Sequence, residues 1–155
     1  MDRKKNIIDK IASLIPGYKG YAERDGRRNC DRVLRDSITN CLLEVEKKID
    51  LIMFEALSNK DKVKLRSLEI IRKKVNTLSS KIRYAPYGAT AFFSDVKIKE
   101  DELEKIYMFD LEMQLKTNEI QKLVLSNSVE GLSELLIGLE DELVSRNIYI
   151  NEFKL

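Results

Sequence analysis

The residues best equipped for chemistry in this chain are its arginines, its loop tyrosines and a few isolated acids. Arg24, Arg27, Arg28, Arg32 and Arg35 crowd one stretch, and Arg24, Arg28, Arg32 and Arg35 step by 4, 4 and 3, a spacing that lines one helical face. Guanidinium groups grip phosphate and carboxylate in bidentate fashion, so such a stripe suits a nucleic-acid or other polyanionic partner. The same stretch carries its own acids. Glu23 stands four before Arg27, Asp31 four before Arg35 and Asp36 four after Arg32, all self-pairing distances. A solvated, internally paired face is therefore the ordinary alternative to a binding surface.

Next to the arginines lies Pro16-Gly17-Tyr18-Lys19-Gly20-Tyr21, and a second Pro/Gly segment over residues 84–99 holds Tyr84, Tyr87, Phe92 and Phe93. Six of the 11 aromatics thus sit on two loops, whereas the helical stripes are mostly aliphatic. Loop aromatics are either buried lids or contact surfaces. If the helix that ends near Arg83 is about 23 residues long and antiparallel to the long one, its end falls opposite roughly Arg35. The loop then runs back along the Arg-rich half and meets residues 18–21, which places guanidinium groups beside rings. The candidate binding residues are accordingly Tyr18, Lys19, Tyr21, Arg24, Arg27, Arg28, Arg32, Arg35, Tyr84 and Tyr87. The plainer reading is that the loop covers a bundle end.

Catalytic chemistry finds little support. The chain has no His, which removes Ser-His-Asp and Cys-His triads, His bases and His-containing metal sites together. Cys30 and Cys41 lie 11 residues apart on one expected helix, hence about 16 Å apart, too far to bridge. They read as small apolar residues of a reducing compartment. Asp110 falls on an apolar stripe, where a buried acid needs a cationic partner; a structural ion pair is the expectation. Consecutive acids such as Glu100-Asp101-Glu102 point in different directions and make no metal site. No phosphate-binding loop, dinucleotide fingerprint or nucleic-acid-binding signature occurs. No enzyme activity, metal or cofactor is expected.

The elements that must position these residues are helices. The chain has 155 residues, of which 43% are hydrophobic and 35% charged, with only 6 Gly and 2 Pro, a composition of long solvated helices. Ile38, Leu42, Val45, Ile49, Ile52 and Ala56 step by 4, 3, 4, 3, 4, a coiled-coil-like heptad seam. Leu68, Ile71, Val75, Leu78 and Ile82 form a second seam, and Val129, Leu132, Leu136, Leu139 and Leu143 a third. A fourth, over residues 100–126, is polar in its middle at Asp110 and Thr117. Polar turns at 58–61 and 126–128 separate antiparallel neighbours, with Ser58, Asn59, Ser128 and Glu130 as helix-start signals. The long helix is expected over 22–57, and residues 147–155 as an extended tail.

Ahead of these, Ile7, Ile8, Ile11, Leu14 and Ile15 mark a short amphipathic helix stopped by Pro16-Gly17. Its Arg3, Lys4, Lys5 and Lys10 would suit an anionic membrane surface, but so few apolar residues favour docking on the bundle. Asp9 and Lys10 interrupt any signal-peptide core, and no stretch approaches a membrane span of about 20 apolar residues. Residues 1–99 carry 23 Lys or Arg against 13 acids and the remainder 5 against 13, so the net +2 hides a basic front and an acidic back. The expectation is one all-α domain over residues 1–155, an antiparallel helical bundle of four main helices plus the N-terminal one, more than about 60% helical. The functional expectation is a cytoplasmic, non-catalytic adaptor or scaffold with a protein partner, a homodimer being one option because a helix longer than its neighbours leaves unpaired apolar surface. The alternative is polyanion binding through the arginines.

Overall fold

Leu34, Ile38, Leu42, Val45, Ile49, Ile52 and Ala56 form the buried ridge of the longest helix, each 0–3% exposed. The structure, a computed structural model, describes residues 3–84, 91–94 and 96–153, with residues 3–5 as backbone. Of the described residues 82% are helical, beyond the expected fraction, and none is in a strand. The helices are α1 (Arg3–Leu14), α2 (Arg27–Ser58), α3 (Lys62–Arg83), α4 (Glu100–Leu125) and α5 (Leu132–Asn151). One apolar core joins all five, so the chain is the expected all-α bundle of four main helices and an N-terminal one.

Several boundaries differ from the spacing-based expectation. The long helix begins at Arg27, because Gly17 and Gly20 take left-handed φ of +92° and +89° and a 3₁₀ turn over Arg24–Gly26 precedes it. Arg24 therefore sits off the helical face of Arg28 and Arg32. The cap of α3 is Asp61, whose carboxylate accepts from the Lys64 N–H at 3.1 Å, not Ser58 or Asn59. The cap of α5 is Gly131 at φ +82°, three residues past Ser128. Residues 147–151 continue α5 as helix and are not an extended tail, since Ile150 stays in phase with the buried seam. The acids of residues 100–102 do open α4, and the Glu102 carboxylate accepts from the Lys99 N–H at 3.0 Å.

The short turns make α2–α3 and α4–α5 antiparallel hairpins. Between hairpins the neighbours run in the same direction. Ser37 bonds Gln114 at 3.1 Å and Glu44 bonds Gln121 at 2.9 Å, so α2 and α4 climb together; α5 descends beside α3, joined by Lys81–Glu140 at 3.1 Å. Of the connection between α3 and α4, the described residues Phe92, Ser94 and Val96 lie against Arg27 at the start of α2. Helix α1 packs on α4 and buries Ile11 and Ile15, which settles the amphipathic helix as docked. Among the described residues no helix is long and apolar enough to cross a membrane.

Candidate functional site

The densest group of functional side chains is sealed inside the bundle. Asp110 lies on the core face of α4 and is fully buried. Its Oδ2 accepts from the Tyr18 hydroxyl at 2.6 Å and the Tyr21 hydroxyl at 2.5 Å, and its Oδ1 from Arg146 Nε on α5 at 2.6 Å. Arg146 Nη2 donates to the Tyr21 oxygen at 2.9 Å and stands 2.8 Å from Asp31 Oδ1 on α2. That last contact is an ion pair without hydrogen-bond alignment, so Asp31 Oδ1 has no hydrogen-bond partner while Oδ2 takes Arg35 Nε at 2.8 Å. Two guanidinium groups thus neutralise two carboxylates, the condition for burying either.

The loop that delivers the tyrosines depends on glycine. A Cβ on Gly20 would stand 2.7 Å from the Tyr107 hydroxyl oxygen, and that oxygen accepts the Tyr21 N–H at 2.9 Å. Arg27, also buried, donates Nε to the Tyr21 carbonyl at 2.9 Å and Nη1 to the carbonyls of Phe92 at 3.2 Å, Ser94 at 3.4 Å and Val96 at 2.8 Å. One guanidinium therefore ties the two Pro/Gly loops together, and the Phe92 ring meets Tyr21 at 5.2 Å between centroids.

Protonation follows from the burial. Desolvation, then the nearby Asp110 charge, raises Tyr18 and Tyr21 well above 10, which keeps both as donors. Desolvation also raises Asp110 above the ordinary 3.8, against the pull of Arg146 and the two hydroxyls. Burial pushes the Cys30 and Cys41 thiols to about 11, so both are protonated and poor nucleophiles at neutral pH. Among the described residues no group of three or more Cys, Asp or Glu is placed to hold a metal ion. This arrangement braces a loop against three helices.

No protein-family model, curated protein or solved structure matches the chain.

The predicted binding residues divide into two sets. Tyr18, Tyr21 and Arg27 are buried and serve the interior, so they offer no surface to a partner, a correction that follows from the two glycine turns folding that loop inward. Arg35 is half-buried, paired with Asp31 as its i,i+4 spacing predicts, and its Nη1 donates to the Arg83 carbonyl at 3.1 Å, where the end of α3 is expected. Lys19, Arg24, Arg28, Arg32 and Tyr84 are exposed. Arg28 lies over the Phe93 ring at 5.2 Å and Arg32 donates to Asn29 at 2.8 Å, so the acidic helices do not cover these two. Tyr87 lies outside the described residues.

Spacing also missed a surface. Leu43, Leu51, Phe54 and Leu57 stand 44%, 65%, 70% and 61% exposed on the side of α2 opposite its buried ridge. The heptad spacing does not reveal them, because it marks only the face that packs inward. Beside them α3 carries eight Lys or Arg against the single acid Glu69.

Proposed function

We propose that this chain is a non-catalytic interaction protein, an adaptor or scaffold of the cytoplasm, that receives a protein partner on the outward face of α2. The observation that carries the reading is the group of Leu43, Leu51, Phe54 and Leu57, large apolar side chains left in water by a helix whose other face is fully packed. Single exposed apolar residues are ordinary, but four spread over the outward side of one helix, Leu43 in line with Leu51 and then Phe54 and Leu57 at steps of three, have the composition of a contact surface. The buried charges support the same reading by being spent on one another. The two unpaired thiols support a reducing compartment. Chemical crosslinking in cell extract, with partners identified by mass spectrometry, tests it. Crosslinks lost in Leu51→Arg but kept in a variant with Arg24, Arg28 and Arg32 changed to Gln support the α2 face, and the opposite pattern overturns it.

A second reading, polyanion binding, rests on the exposure of Arg24, Arg28 and Arg32. It predicts affinity for a labelled single-stranded RNA that falls by orders of magnitude between about 50 and about 200 mM salt. Salt-independent or absent binding removes it.

A further inference from the structure

Resting on that reading of the α2 face, we infer that its occupant is a second copy of the chain, docked as an antiparallel α2–α2 pair with Leu51 on the two-fold axis. The charges beside Leu51 carry the argument. Lys47 lies four residues before it and Glu55 four after, on one exposed i±4 row. Neither has an ionic partner among the described residues, whereas Asp50 in the same stretch meets Arg72 at 3.9 Å and Glu44 meets Gln121 at 2.9 Å. The row is therefore an acid and a base placed symmetrically about a leucine and left unmatched within the protomer.

A two-fold axis through Leu51 exchanges offsets of plus and minus four. At the common helix crossing of about −50°, the i±4 rows of two helices lie along each other. Lys47 of each copy then faces the partner's Glu55, giving two reciprocal ion pairs around a central leucine contact, with Phe54 alongside. A parallel pair in register would set Lys47 against the partner's Lys47. An acidic or basic foreign helix would satisfy one end of the row and repel at the other, so the row matches a copy of itself.

The apolar area sets the strength. At roughly 200 Å² of full surface for each large side chain, Leu51 and Phe54 present on the order of 300 Å² toward the axis, with Leu43 and Leu57 at the flanks, which makes a weak dimer below the standard interface size. Association in the micromolar range is expected.

Sedimentation of the purified full chain between about 1 and about 200 µM tests this, because that range brackets a micromolar dissociation constant. Wild type should move from monomer to dimer, and Leu51→Arg should stay monomeric with an unchanged helical circular dichroism spectrum. Lys47→Glu and Glu55→Lys should each weaken the dimer several-fold, and the double variant K47E/E55K should restore it, an outcome that a merely structural role for either residue does not produce. A wild type monomeric throughout, a dimer indifferent to Leu51→Arg, or a double variant no better than the singles each overturns the proposal. If wild type is monomeric while crosslinks to other proteins still disappear in Leu51→Arg, the second copy is wrong and the contact face stands. If those crosslinks are unaffected as well, the face itself is wrong.

Discussion

Asp110 shows how much one residue can organise. It sits where the periodicity of α4 calls for an apolar side chain, and burial obliges it to find donors, which it draws from a loop and from α5. Asp110→Ala leaves the Arg146 guanidinium short of its main counter-charge inside the core and should cost about 3–5 kcal/mol in urea unfolding. Gly20→Ala combines a positive φ with a Cβ 2.7 Å from the Tyr107 oxygen and should cost about 1–3 kcal/mol in the same assay. The protons tell a related story. Cys30 and Cys41 move from 9.0 to about 11 on folding, and Tyr18 and Tyr21 move above 10, so the folded chain holds these protons more tightly than the unfolded one. Stability is then fully present below pH 9 and should decline as pH rises from 9 past 11, read as a falling urea midpoint. A midpoint constant from pH 8 to 11 would contradict the closed interior.

At the scale of the element, phase decides which side chains matter. Ile49 is fully buried on α2 while Asn40, on the same helix, points outward. Ile49→Asp should lose several kcal/mol by burying an unpaired charge, and Asn40→Ala should stay within about 0.5 kcal/mol. Equal shifts in melting temperature would mean that the helix is rotated from this position. Phase also explains why charged residues entered the core. Arg27 and Asp31 continue the α2 seam backward from Leu34, and Arg146 continues the α5 seam from Leu143 toward Ile150. Arg146 is also the only Arg after residue 83, a signal carried by the sequence itself.

For the molecule as a whole, the basic front and acidic back meet less than their charges invite. Arg24, Arg28 and Arg32 remain exposed, and of the ion pairs joining the hairpins Lys81–Glu140 lies at the surface while Arg146–Asp31 is buried in the core. Exposed pairs contribute about 0–1 kcal/mol each. Changing these three arginines to Gln should therefore shift the melting temperature by less than about 4 °C. A drop above about 10 °C would mean that they hold the fold and do not serve a surface.

The helices, their inward faces and the exclusion of His-based chemistry were legible in the chain alone, because a 3.6-residue period and residue identity are local properties. So were the Asp31–Arg35 pair and the meeting of Arg35 with the end of α3, which follow from rise per residue. The start of α2 was not legible, since it depends on Arg27 reaching four carbonyls, three of them more than 60 residues away in sequence. Nor was the fate of the loop tyrosines. Their chemistry suits a surface as well as a core, and only packing against Tyr107, Asp110 and Arg146 turns them inward. The same holds for the outer side of α2: spacing marks which residues share a face, whereas the arrangement of α3, α4 and α5 decides which faces are covered and which one stays in water.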